Sequence, residues 1–282
     1  MRINLKTERA LNVAVALLED VGVGDLTAEL ISENTKASAQ LITREDAVLC
    51  GIRWFNECFL QCDDDAQIQW FFTDGDVVTK NAVLCKITGN ARALLTAERT
   101  ALNFLQTLSA VATKTRHFVN LVKGTGAQIV DTRKTIPSLR SAQKYAVKCG
   151  GGKNHRMALW DAILIKENHI IAAGGIKQAF AAAQEIADAN LQHCKFVQIE
   201  VENLTQLKEA INAGAKMILL DNFSLEEMRK AVKISPDDVL LEASGNVSDA
   251  TVLAIAQTGV HRISIGSLTK DIRAIDLSLR FL

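Results

Sequence analysis

The chain has 282 residues, 48% of them apolar, and its 32 Lys+Arg balance 32 Asp+Glu. A chain of this size buries a large core in one or two domains, and zero net charge leaves no cationic excess to displace counterions from a nucleic acid. The start, MRINLKTERALNVAVALLED, lacks the regions of a signal peptide, and no apolar run approaches membrane-spanning length, so a cytosolic protein without a nucleic-acid or membrane partner is expected.

Ala10, Val13, Leu17 and Leu18 fall at helical spacing within residues 9–19, and the glycines of VGVGDLT stop that helix. From 37 to 89, short β-type runs (SAQLITR, AVLCG, QIQWFF, AVLCKITG) alternate with DDDA, TDGD and TKN turns, the pattern of a small antiparallel sheet. Cys50, Cys58, Cys62, Cys85, Cys149 and Cys194 form no CxxC pair and lack zinc-finger spacing, so buried, idle thiols are expected. Residues 91–122 contain no Gly or Pro and repeat apolar residues at three and four, which predicts one long helix or two consecutive ones leading into a second domain.

After Gly126 the runs QIVD, AILIKENH, FVQIEVE, MILLDNF, VLLEASGN and RISIGSLT alternate with amphipathic segments such as IKQAFAAAQEIADAN, TQLKEAINAGA, SLEEMRKAV and SDATVLAIAQTG. That alternation predicts a parallel sheet with crossover helices. Lys166, Glu200, Asp221, Ser244 and Gly266 end successive strands, and charged residues gathered at strand ends favour a barrel over an open doubly wound sheet. Gly126 to Lys270 is too short for eight ordinary units, which take about 250 residues, so an incomplete barrel of six to seven strands is expected.

Cations concentrate at the first strand ends: Arg133 and Lys134, then His155 and Arg156 behind the triplet Gly150–Gly152, then Lys166. Three glycines let backbone amides approach a ligand closely. Gathering cations away from water is costly unless partners compensate, so the group implies a ligand with several negative charges. Glu200, Glu202 and Asp221 follow, and carboxylates beside a phosphate site hold Mg²⁺ or bond sugar hydroxyls; outward surface carboxylates are the plainer alternative. The last two ends, with Ser244, Gly245 and Asn246 and then Gly266, Ser267 and Lys270, offer amides and hydroxyls at helix N-termini that would cradle a phosphate, or serve as ordinary turns and caps.

The segments EDVGVGDLT, AERTALNFLQTLSAVAT, DTRKTIPSLR, KCGGGKNHRMALWDAILIKENHI, IEVENL, MILLDNF, EASGNV and ISIGSLTK resemble the quinolinate phosphoribosyltransferase family, also called carboxylating nicotinate-nucleotide pyrophosphorylase, over nearly the whole chain. The resemblance implies an N-terminal α/β sandwich domain (1–109, joined by the tail 271–282) and an open α/β barrel (110–270), paired as a homodimer with shared active sites. It implies an enzyme that joins quinolinate to phosphoribosyl pyrophosphate with Mg²⁺, releasing carbon dioxide and pyrophosphate and forming nicotinate mononucleotide. By the same resemblance Arg99 reaches into the partner subunit's site, and Arg133, Arg156 and Lys166 grip the pyridine dicarboxylate with Lys134 and His155 beside them. It further implies Lys134, Lys166, Glu200 and Asp221 as the catalytic set, with Glu200 and Asp221 near the ribose and the metal-bound pyrophosphate and holding the metal directly or through water. Ser244, Gly245, Asn246, Gly266, Ser267 and Lys270 form the phosphate side, with Lys270 standing where some members have His and Ser267 where many have Ala. Three other readings compete: a relative with a different aromatic acceptor, a barrel aldolase using Lys166 as an imine-forming lysine, and a non-catalytic nucleotide binder.

Overall fold

The computed structural model describes residues 4–282 and divides into two compact units. One gathers residues up to 116 with 135–151 and 268–282; the other comprises 117–134 and 152–267.

The first unit opens with α1 (Leu5–Val21), capped where the Asn4 side chain accepts the Thr7 amide at 2.9 Å and stopped at Gly22, whose φ of 56° suits glycine. A short turn of 3₁₀ helix (Ala28–Leu30) precedes β1 (Lys36–Thr43), β2 (Ala47–Val48), α2 (Ile52–Cys62), β3 (Gln67–Trp70), β4 (Val77–Val78), β5 (Val83–Asn90) and α3 (Ala91–Leu121). β3, β5 and β1 form the expected antiparallel sheet, and Leu277–Phe281 adds its outer strand by pairing with β1, Leu279 opposite Leu41.

Residues 37–89 are not all strand. α2 interrupts them because Trp54, Phe55, Cys58 and Phe59 recur at three and four and all reach the core, where helical spacing prevails over β-type composition. Burial pushes the Cys58 and Cys85 thiols well up, as befits inert core residues. α3 is one continuous helix whose Leu94, Ala101, Leu105 and Leu108 are fully buried against β5 residues such as Ile87 and the α2 aromatics in one core.

α4 (Arg140–Cys149) belongs to this unit and gives the first two glycines of the triplet a packing and helix-ending role in place of the expected ligand contact. A Cβ on Gly150 would stand 2.5 Å from both the Ala112 carbonyl oxygen and Thr115 Cβ, so glycine lets α4 lie against α3. The Gly150 and Gly151 amides bond the Ala146 and Lys148 carbonyls, which ends the helix and leaves neither amide for a ligand.

The second unit contains β6 (Gln128–Val130), β7 (Ile163–Ile165), α5 (Glu167–Ala173), α6 (Ile176–Ala189), β8 (Val197–Val201), α7 (Leu204–Asn212), β9 (Met217–Asp221), α8 (Leu225–Ile234), β10 (Leu240–Ser244), α9 (Val252–Ala256) and β11 (Arg262–Ser264). The chain closes with α10 (Ser267–Lys270) and β12, the Leu277–Phe281 strand already described. Side-chain caps start two of the helices: Asn203 accepts the Thr205 and Gln206 amides, and Ser224 with Glu227 forms a reciprocal box.

All six strands run parallel in the order β6-β11-β10-β9-β8-β7. Pairing of the first strand with the last is barrel order, and the missing β6–β7 ladder makes the barrel open, with six strands. Along β8 and β10 the outward residues Ile199, Val201, Leu241 and Ala243 are fully buried, while Gln198, Glu200, Glu242 and Ser244 occupy the alternate face. Ladder register carries that inner face around the barrel: Glu200 lies opposite Leu219, Leu219 opposite Glu242, and Glu242 opposite Arg262.

Candidate active site

Every strand of the second unit ends in a residue able to meet an anion or a sugar. After β6 the Asp131 carboxylate, fully buried, accepts the His155 amide at 2.8 Å and the Asn154 side-chain amide at 2.5 Å. This ties the 152–156 segment to the β6 end beside Arg133. Arg156 is only 9% exposed and donates to the Ala162 carbonyl at 3.3 Å. Burial, then the neighbouring Arg133 charge, pulls the Arg156 guanidinium below its ordinary pKa, with Asp161 opposing. Asp161 is itself fully buried; burial would raise its carboxyl, yet the Ala158 and Met157 amides and Lys195 hold it below the usual range. Arg133 and Arg156 thus place two guanidinium groups in one region of the site, a chemistry suited to carboxylate or phosphate oxygens.

Lys166 follows β7 at the start of α5, where His169 Nδ1 accepts its backbone amide at 3.0 Å. Its Nζ lies 2.5 Å from Glu200 Oε2, and the side chains are 48% and 16% exposed. A half-exposed lysine facing a carboxylate is not the apolar-pocket lysine that imine chemistry requires. Glu202 lies just past β8 and is exposed, so it does not join Glu200.

Asp221 ends β9 opposite Ser244, and Asn222, which the sequence reading passed over, stitches the two ends together. At a φ of 55° its amide donates to the Ser244 carbonyl at 3.0 Å, and its side chain donates to Asp221 Oδ2 at 3.0 Å. Asn246 Nδ2 in turn reaches Asn222 Oδ1 at 3.5 Å. A Cβ on Gly245 would fall 2.1 Å from that Oδ1, and the residue's φ is +97°. Gly245→Ala is therefore expected to lower stability by about 2 kcal/mol, since both the space and the backbone exclude a side chain; an unchanged urea midpoint would contradict this. These residues do not sit at a helix N-terminus as expected, because α9 begins only at Val252, after a turn closed by Ser248 and Thr251.

Gly266 follows β11, and a Cβ there would lie 3.0 Å from Lys134 Cδ, so the Lys134 stem crosses this strand end. Arg99 and Lys270 belong to the first unit, Arg99 within α3 and Lys270 at the end of α10. His155 departs from the expectation of a cationic mouth. Its ring is 7% exposed, with Nε2 2.7 Å from Gln198 Oε1 and Nδ1 accepting the Arg156 amide at 2.7 Å, so it turns inward as a neutral, hydrogen-bonded group. Gln198 and Glu242 alternate with apolar neighbours along their strands, a pattern that points polar groups into the barrel, whereas Arg262 follows His261 and carries no such signal.

Glu200 and Asp221 offer oxygen donors from neighbouring strands on one inner face. Among the described residues the three-ligand acidic group is Asp63–Asp65, elsewhere, so the strand-end carboxylates are a two-residue donor set. Such a set suits Mg²⁺, which keeps waters and takes substrate phosphate oxygens, better than an ion needing a full protein cage.

Barrel order, an open seam and charges at the carboxyl ends of the strands define the class: an α/β-barrel enzyme for anionic substrates. Residues 25–109 match the family described as quinolinate phosphoribosyl transferase, N-terminal domain, and residues 111–280 the corresponding C-terminal domain. A probable nicotinate-nucleotide pyrophosphorylase [carboxylating] of Bacillus subtilis is 39% identical, the match covering 93% of this chain and 89% of that protein. A mitochondrial quinolinate phosphoribosyltransferase [decarboxylating] of Nicotiana tabacum is 36% identical over 94% of this chain and 80% of its own. The solved nicotinate-nucleotide pyrophosphorylase of Francisella tularensis superposes with a TM-score of 0.94 at 47% identity, covering 100% of this chain and 98% of that one. The chain belongs to the quinolinate phosphoribosyltransferase family. Among the described residues no helix is long and apolar enough to cross a membrane.

Proposed function

We propose that the chain transfers the phosphoribosyl group of phosphoribosyl pyrophosphate to quinolinate with decarboxylation, forming nicotinate mononucleotide, pyrophosphate and carbon dioxide for NAD biosynthesis. The observation that carries the site reading is the parallel order of the six strands, whose carboxyl ends deliver Arg133, Lys166, Glu200, Asp221, Ser244 and Gly266 to one end of the barrel. Arg133, Arg156 and Lys166 hold the two carboxylates, with Lys134 and His155 beside them. This orients the pyridine nitrogen toward the anomeric carbon, and much of the rate comes from that positioning. Positive charge develops on the ribose as the C–O bond to pyrophosphate breaks, and Glu200 and Asp221 stabilise it electrostatically. The nitrogen, once alkylated, is a pyridinium whose charge stabilises the electron pair left on the adjacent ring carbon as carbon dioxide departs, and a proton from water then fills that position.

Glu200 and Asp221 would also hold Mg²⁺, which when bound neutralises pyrophosphate oxygens. Ser244, Gly245, Asn246, Gly266, Ser267 and Lys270 receive the 5′-phosphate. The working unit is a cytosolic homodimer in which Arg99 enters the partner subunit's site. Incubation with quinolinate, phosphoribosyl pyrophosphate and Mg²⁺ should release one carbon dioxide per mononucleotide formed. Pyrophosphate release with nicotinate in place of quinolinate, and none with quinolinate, would sink the assignment.

A further inference from the structure

Beneath the strand ends the barrel interior holds a chain of polar groups with no substrate role in the reading above. Gln198 is fully buried and Glu242 is 1% exposed. Arg262 Nε lies 3.4 Å from Glu242 Oε2, and Gln198 Nε2 lies 3.3 Å from the same oxygen. The other oxygen, Oε1, makes no hydrogen bond and sits 3.5 Å from His155 Nε2.

These contacts have a direction. A carboxylate only accepts, so Glu242 takes the NH₂ of Gln198 and turns the Gln198 carbonyl toward His155. An imidazole nitrogen 2.7 Å from that carbonyl must donate, which places the ring proton on Nε2 and leaves the Nδ1 lone pair to the Arg156 amide. We infer that Glu242, anchored by Arg262 and acting through Gln198, sets the tautomer of His155 and is thereby a positioning residue for the Arg156 end of the site. The kinetic consequence rests on the reading that His155 and Arg156 serve the diacid; the tautomer does not.

The chain has five histidines, so ring-¹⁵N labelling of the intact protein resolves them, and the His155 signals are those lost in His155→Gln. The wild-type ring should show the Nε2–H pattern alone. Glu242→Gln, which replaces the acceptor-only group by an amide, should give a mixture of tautomers. Gln198→Met should do the same while keeping the Glu242–Arg262 pair, and it decides the matter if Glu242→Gln does not fold. In both, KM for quinolinate should rise about tenfold, the scale of one hydrogen bond, with a smaller change in kcat. A His155 ring that keeps its Nε2–H pattern in every folded variant means the Arg156 amide alone fixes it, and the inference is overturned even if KM rises. Tautomer mixing with an unchanged KM supports the tautomer assignment but overturns the positioning role and removes His155 and Arg156 from the diacid site.

Discussion

Lys166→Ala should lower kcat/KM for quinolinate by on the order of 10²–10³-fold while the protein stays folded. The size follows from what faces the lysine. Its Nζ lies 2.5 Å from Glu200, which is 16% exposed, so truncation removes a cation from the ligand and leaves a carboxylate turned toward an incoming dianion. Removing one electrostatic donor from an active site lowers the rate by about 10²–10³-fold, or about 3–4 kcal/mol. The fold should survive because the Lys166 side chain is 48% exposed and fills no core space. Steady-state kinetics beside a thermal melt checks both halves. A variant of normal melting temperature and wild-type kcat/KM would remove Lys166 from the site.

Arg99→Ala and Lys166→Ala, each inactive alone, should together regain about a quarter of wild-type activity when mixed under subunit exchange. If Arg99 serves the partner subunit's site, each hybrid dimer contains one site with both lesions and one with neither. Random exchange makes about half the dimers hybrid, hence the quarter. Native mass spectrometry of the mixture measures the hybrid fraction independently. Hybrids present without recovered activity would mean that Arg99 acts in its own subunit's site or in none.

Much of the fold could be read from the chain because it depends on local periodicity. The six barrel strands were found at their apolar runs, α6, α7 and α8 at their amphipathic segments, and α3 at a stretch free of Gly and Pro. α2 was lost among β-type neighbours because its pattern covers only 11 residues. Gly150 differs from its expected role for another reason: a glycine that admits a neighbouring helix and a glycine that admits a ligand look alike until the neighbour is known. Gly150 meets the Ala112 carbonyl, a contact between residues 38 positions apart.

The sequence by itself determined the family, the barrel and the strand-end inventory from Arg133 to Gly266, since parallel strands deliver the residues that follow them to one end whatever their exact packing. Only the tertiary structure decided which inventory members are paired and where they turn. Lys166 faces Glu200, Glu202 stands apart, and Asn222 binds two strand ends together. His155 points inward to Gln198 and Glu242. Such pairings join residues tens of positions apart through directional hydrogen bonds a few ångströms long, and local patterning along a chain carries no information about them.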